Sequence, residues 1–311
     1  MAACGASSTS EPSASPATEP SSTNDGAEPA AAALDWQGHR GARGLRPENT
    51  LPGFELALDL GVDTLELDLH LSADDQAVVW HDPIVDGSKC QGDGVSTRVR
   101  DLTSAELRSL DCRLNPDQGR FPEQEPAPGD LAGDDYGIVT LSELFDFVAG
   151  YAQSADKAEE LRQNAATVRF NVETKRRPDD PAAIDDGFDG ERPGVFEQAV
   201  VAAVIEAGLA DRVSVQSFDH RSLWAVRSEN PELALVALTR RGDQPDFADL
   251  AGRGASVWSP DHRSLTVELV EAAHATGLEV IPWTVNDPLE MDRLIGLGID
   301  GIITDRPDLR P

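Results

Sequence analysis

The chain has 311 residues, 40% of them hydrophobic, enough to bury a large core, and its length suits one large α/β domain with a tail. Its formal net charge of -30 repels phosphate backbones and anionic lipid, which speaks against a nucleic-acid partner and against electrostatic membrane adhesion; a plain solvated acidic surface accounts for the same charge. No apolar run is long enough to suggest a membrane-spanning helix.

Residues 1–33 are rich in Ser, Thr, Pro, Glu and Ala without an apolar period, the composition of a disordered tether. Within them, Ala2, Ala3, Cys4 and Gly5 resemble the end of a bacterial lipoprotein signal with Cys4 as the acylated residue; the alternative is an ordinary cysteine in a tail. The first reading makes the protein extracytoplasmic, secreted or lipid-anchored at the cell surface or periplasm, with membrane contact confined to Cys4. In such an oxidising compartment Cys90 and Cys112 are a candidate pair, and otherwise they are two free thiols.

From residue 34 onward, short strand-like runs alternate with helical stretches. Strands are expected at 36–39, 64–70, 168–173, 213–217, 235–238, 256–258, 280–285 and 301–304, with an extra hairpin arm at 77–80. Helices are expected at 50–60, 194–207 and 266–277, the last closed by Gly277. Eight such units over 34–311 predict a (β/α)8 TIM barrel. Residues 83–139 break the rhythm with Gly, Pro and Asp and one short helix near 104–110, and read as an insertion over the C-terminal end of the barrel strands. Residues 179–192 form a second, acidic excursion.

The stretch "LELDLHLSADDQAVVWHDP" at 65–83 carries the chemistry. Strand alternation puts Glu66 and Asp68 on one face and Leu65, Leu67 and Leu69 on the other. A turn centred on Asp74 and Asp75 would set Asp68 opposite His81. The C-terminal strand ends, where barrel active sites sit, then offer His39 and Arg40, Glu66 and Asp68, Glu173 and Lys175, Gln216, Ser217 and Phe218, and Trp283 with Asn286. Three carboxylates make a hard oxygen site that suits Mg²⁺ or Ca²⁺ better than zinc. Arg40 and Lys175 add positive charge for an oxyanion, and phosphate is the one expected. Two histidines facing such a phosphate suggest phosphodiester cleavage by general acid and base, and no G-x-S-x-G nucleophile motif is present.

Six ordered segments, "HRGARGLRPENT" (39–50), "ELDL" (66–69), "WHDP" (80–83), "NVETK" (171–175), "VQSFD" (215–219) and "WTVND" (283–287), resemble the glycerophosphodiester phosphodiesterases of the phospholipase C-like phosphodiesterase superfamily. The resemblance implies a barrel that uses one divalent cation, Mg²⁺ or Ca²⁺, to hydrolyse small glycerophosphodiesters to glycerol 3-phosphate and an alcohol, in lipid and glycerol metabolism or phosphate and carbon scavenging. By motif match, His39 and His81 would be the catalytic acid/base pair and Glu66, Asp68 and Glu173 the metal ligands. Arg40 and Lys175 would hold phosphate, Glu48 would support the site, and Phe218 and Trp283 would shape the glycerol pocket. In related barrels the substrate's own hydroxyl can attack first, giving a cyclic phosphate. "NVETK" replaces a more usual Ile-rich form, and the insertion and acidic loop leave the leaving alcohol open.

The bland readings are a turn histidine at 81, a local Glu173–Lys175 ion pair, and core packing for Trp283. Two carboxylates on an otherwise apolar strand resist such a reading, because buried charge needs a partner. His70 shares the alternation of Glu66 and Asp68 and is placed behind them, while His220, His262 and His274 are expected to be structural or surface residues. Two alternatives remain: a phospholipase D-like or phosphoinositide-cleaving enzyme acting on lysophospholipids, which predicts an apolar mouth, and a non-catalytic surface binding protein.

Overall fold

The structure, a computed structural model, describes residues 1–9 and 34–310. Residues 1–9 have no regular secondary structure and leave Cys4 exposed; residues 10–33, which hold most of the expected tether, lie outside the described residues.

The remainder is a nearly closed barrel. Its parallel strands are β1 (Asp35–His39), β2 (Thr64–Leu71), β4 (Arg169–Thr174), β5 (Val213–Ser217), β6 (Ala234–Thr239), β7 (Val257–Pro260), β8 (Glu279–Val280) and β9 (Gly301–Thr304). They pair in the order β8-β7-β6-β5-β4-β2-β1-β9, and β3 (Ala77–Val79) pairs antiparallel with β2. Backbone bonds from Val285 N–H to Ile303 O and from Ile303 N–H to Pro282 O bring the last two turns of the barrel together. The helices lie between strands: α1 (Leu51–Asp59), α2 (Ser104–Arg108), α3 (Leu141–Gln153), α4 (Glu159–Thr167), α5 (Val195–Ala207), α6 (His220–Glu229), α7 (Phe247–Gly252), α8 (Val267–His274) and α9 (Pro288–Ile295). This is the expected (β/α)8 architecture.

Strand alternation sorts residues between two cores. Leu65, Leu67 and Leu69 of β2 pack outward in one cluster with Phe54, Ala57 and Leu58 of α1 and Val172 of β4. Each fully buried large aliphatic side chain contributes about 1.5–3 kcal/mol. The barrel interior is divided: Val236, Val257, Ile281 and Ile303, with Trp283 packed against them, fill the half under β6 to β9. The half lined by β1, β2, β4 and β5 instead buries Gln37, Glu66, Asp68, Asn171, Glu173 and Gln216.

Two local expectations are corrected. The hairpin pairs Leu69 with Val79 and Leu71 with Ala77, and Trp80 N–H donates to Asp68 O, so Asp68 faces Trp80 rather than His81. The loop Ala73-Asp74-Asp75 has three residues, with Asp75 in the left-handed region (φ 59°), which moves the register by one and leaves His81 in a bend beyond the strand. The strand expected at 280–285 stops at Val280, since Pro282 has no N–H to continue the ladder.

Between β3 and α3 the chain builds a small core of its own from Trp80, Val85, Val99, Leu102, Leu107, Leu110 and Ile138. A Cys90–Cys112 disulfide braces it. The helix expected near 104–110 is α2, opened by a capping box in which Thr103 accepts from Glu106 N–H and Glu106 accepts from Thr103 N–H.

Candidate active site

Parallel register sets the site. His39 is level with Glu66, Asp68 with Glu173, and Glu173 with Gln216, so inward side chains of four strands meet in two successive levels at the C-terminal end. The turn after β1 then carries Arg40, at φ 53°, and Gly41, at φ 85°. A Cβ on Gly41 would lie 2.7 Å from the Gly53 carbonyl, so only glycine lets this turn close on the start of α1. Arg40 is held in its uncommon backbone conformation by Glu66, whose Oε2 accepts from Arg40 N–H at 2.9 Å.

Glu66, Asp68 and Glu173 converge, with one carboxylate oxygen of each lying within 4.8 Å of the others. Burial and the neighbouring Asp68 charge push the Glu66 carboxyl well above the usual carboxylate range. Burial works the same way on Asp68, but Arg40 and Lys175 overrule it and hold Asp68 well below. Glu173 is raised by burial and by Asp68 against the pull of Lys175, whose Nζ is 2.8 Å away. Buried Asp68 Oδ1 accepts no hydrogen bond. Three crowded carboxylates, with an Asp68 oxygen that has the Lys175 ammonium 3.4 Å away and no hydrogen bond, are the donor set a divalent cation takes.

Cations and acids alternate around this centre. Arg40 reaches Glu48 Oε2 at 3.1 Å and Asp68 Oδ2 at 3.0 Å. Glu48 also pairs with Arg43 and with Lys89. Burial alone would raise Glu48, yet Arg40, Arg43 and Lys89 bring it down to about 2. Asn49 Nδ2 donates to Asp68 Oδ2 at 2.9 Å.

The two histidines are each oriented by a carboxylate. His39 Nδ1 lies 2.5 Å from Asp305 Oδ1, and its Nε2 faces Glu66 at 3.9 Å. Burial lowers its pKa, with Asp305 pulling the other way. His81 Nδ1 lies 2.6 Å from Asp82 Oδ1, and burial and Arg40 bring the imidazole down to about 4. With Nδ1–H donating to a carboxylate, each ring leaves Nε2 as the nitrogen available for proton transfer.

His81 opens into a cavity of about 320 Å³ lined also by His70, Glu173, Lys175, Phe218 and Arg240. Phe218 meets Trp283 edge-on, with ring centroids 5.4 Å apart, and Arg240 stacks over Phe218 at 4.4 Å. Trp283 Nε1–H donates to Ser259 O.

All ten sequence-derived site residues therefore lie at one end of the barrel. His39, Arg40, Glu48, Glu66, Asp68, Glu173 and Lys175 form one ionic cluster, His81 sits at its edge, and Phe218 and Trp283 form an aromatic wall. His70 is buried behind the acids, its Nε2–H donating to His81 O at 3.1 Å. His220, His262 and His274 are engaged elsewhere, with Leu238 O, Glu290 and Asp300. Sequence reasoning missed Asp305, Asn49, Arg43, Asp82 and Lys89. Asp305 had a usable signal: it directly follows β9, the position occupied by polar site residues after the other strands. Lys89 had none, because it comes from the insertion and reaches Glu48 only through the fold.

A model of the Glycerophosphoryl diester phosphodiesterase family matches residues 39–309. A glycerophosphodiester phosphodiesterase of Caldanaerobacter subterraneus is 30% identical over 270 residues, which is 87% of this chain and 93% of the relative. A candidate glycerophosphoryl diester phosphodiesterase structure from Silicibacter pomeroyi aligns with a TM-score of 0.72 at 31% identity, covering 89% of this chain and 91% of that one. An Oleispira antarctica phosphodiesterase, solved with its product sn-glycerol-3-phosphate, shares the fold with a TM-score of 0.67 at 22% identity, over 88% of this chain and 93% of that one.

Proposed function

The chain belongs to the glycerophosphoryl diester phosphodiesterase family, and from that premise we propose that it hydrolyses glycerophosphodiesters to glycerol 3-phosphate and an alcohol, with one divalent cation, Mg²⁺ or Ca²⁺, held by Glu66, Asp68 and Glu173. The observation that carries the reading is the convergence of those three buried carboxylates between two carboxylate-oriented histidines and the cations Arg40 and Lys175. The cation, when bound, neutralises charge on the phosphoryl oxygens and polarises them.

The chain's own side chains supply the rest. Arg40, buried, and Lys175, partly buried, both cationic, hold the phosphate in a chain that is otherwise strongly acidic. Glu48 fixes the Arg40 guanidinium. His39 and His81 share the proton traffic: one Nε2 takes a proton from the attacking hydroxyl, whether the substrate's own or water's, and the other gives a proton to the departing alcohol oxygen. The anionic diester, entering beside His81, raises that imidazole from its depressed value and favours its protonation. Phe218 and Trp283 wall the glycerol side. The cavity lining includes Asp82, Lys175, Arg177 and Arg240, polar surroundings that suit a water-soluble diester better than an acyl chain.

The Cys90–Cys112 disulfide supports placement in an oxidising, extracytoplasmic compartment, and exposed Cys4 is the proposed point of lipid attachment. Intact mass before and after reduction tests the disulfide, and a lipid adduct on Cys4 in the same spectrum tests the anchor. The reaction is tested by following glycerophosphocholine by phosphorus NMR with Mg²⁺, with Ca²⁺ and with EDTA. Glycerol 3-phosphate formed only with a cation is expected. Phosphocholine as the product would place cleavage at the other ester bond and refute the assignment, and lack of reaction across several glycerophosphodiesters would refute it outright.

A further inference from the structure

One chain of buried amides remains unexplained by packing. Gln216 Nε2 donates to Glu66 Oε1 at 2.6 Å. Asn171 Nδ2 donates both to Gln216 Oε1, at 3.2 Å, and to Gln37 Oε1, at 2.9 Å. Gln37 Nε2 donates to Asp35 Oδ2 at 2.8 Å, and Asp35 Oδ1 is held by Thr64 Oγ1 and Arg169. Asn171 Oδ1 is satisfied by Ser214 Oγ. The column runs down the middle of the barrel to a cavity of about 190 Å³ at the opposite end, whose lining includes Asp35, Gln37 and Arg169.

Both glutamines turn their NH₂ groups outward, to the carboxyl groups at the ends of the column, and their oxygens inward. Both oxygens then need a donor from the same residue, and Asn171, with two N–H groups, is the node that supplies them. The three amides are 1–3% exposed, while the facing half of the same interior is filled by Val236, Val257, Ile281 and Ile303. Apolar side chains would therefore fill this half as well, at less desolvation cost.

We propose that Gln37, Asn171 and Gln216 are positioning residues: a hydrogen-bonded column, anchored at Asp35, that fixes the rotamer of Glu66 and so presets the carboxylate cage for its cation. Glu66 Oε1 is tied by the column and Oε2 by the Arg40 N–H, which together leave the carboxylate a single orientation. The inference rests on the cation reading of the cage given above.

The test is calorimetric titration of Mg²⁺ and Ca²⁺ into the metal-free full chain for wild type, Asn171→Leu and Gln37→Met, with Ile281→Ala as a control from the apolar half of the interior. Thermal unfolding is recorded for each. Asn171→Leu is expected to weaken cation binding on the order of ten- to a hundredfold, the range for residues that orient metal ligands, and Gln37→Met to weaken it in the same direction. Ile281→Ala is expected to lower the unfolding temperature and leave affinity unchanged. Should Asn171→Leu not fold, Gln37→Met at the remote end carries the same decision. Wild-type affinity in the column variants, or equal weakening in the control, overturns the column. A wild-type chain that binds neither cation overturns the cage reading itself, and with it the column's purpose.

Discussion

Asp305 gives the sharpest test of the histidine assignments. Its carboxylate is fully buried, Oδ1 receives His39 Nδ1–H at 2.5 Å, and Oδ2 receives Asn286 Nδ2–H at 2.6 Å. In Asp305→Asn the donor on Asn286 still demands an oxygen, so the new amide must turn its NH₂ toward His39. The bond to His39, worth about 1.5–3 kcal/mol when one partner is charged, is then reversed in direction rather than merely lost. The neutral imidazole is pushed to the tautomer with its proton on Nε2, useless to a base; if His39 is instead the acid, its imidazolium loses its counter-charge. Either way the acid–base contribution goes, roughly 10²–10⁴-fold in kcat, or about 3–5 kcal/mol of barrier. Because Asp305 raises the His39 pKa against burial, any pH limb that requires neutral His39 should also move to lower pH. The assay is release of glycerol 3-phosphate under saturating cation, with thermal unfolding to show that the isosteric variant folds. A kcat within about threefold of wild type would refute the reasoning.

Glu173→Gln should abolish saturable divalent-cation binding while leaving the fold intact, as followed by calorimetry and circular dichroism; undiminished binding would remove Glu173 from the cage. His70 is fully buried and held at about 4 by desolvation against an ordinary 6.5, so the unfolded chain binds the extra proton between those values and stability falls as pH drops from 6.5 to 4. The gap in unfolding free energy between wild type and His70→Gln should therefore shrink by roughly 3 kcal/mol across that window, and parallel pH profiles would contradict it. The Cys90–Cys112 bond closes a loop of sequence separation 22, so Cys112→Ser should cost about 3 kcal/mol of stability by denaturant unfolding; an unchanged midpoint would show that the small core holds without it.

What the sequence made legible follows from how each signal is carried. The eight barrel strands are short apolar runs between helical stretches, and they could be placed because period and length are local properties. Glu66 and Asp68 stood out because charge on an apolar strand has few innocent explanations. Register is a different matter: one extra residue in the Ala73-Asp74-Asp75 loop, detectable only through the φ of Asp75, moved the partner of Asp68 from His81 to Trp80. Asp305 hid in "TDRP", where an acid before Arg and Pro reads as a turn. Gln37 and Asn171 are unremarkable as single polar residues in strands; only closure of the barrel brings them into one line.

Lys89 ties the insertion to the barrel's chemistry. Its ammonium bridges Glu48, which fixes Arg40, and Asp82, which orients His81, and it sits next to a disulfide-bonded cysteine. An engineer who trimmed this excursion to enlarge the entrance would strip the counter-ion from two acids that hold the phosphate grip and one of the proton carriers. A chimera that borrows another relative's insertion needs a cation at the same spot before any difference in substrate preference can be read from it.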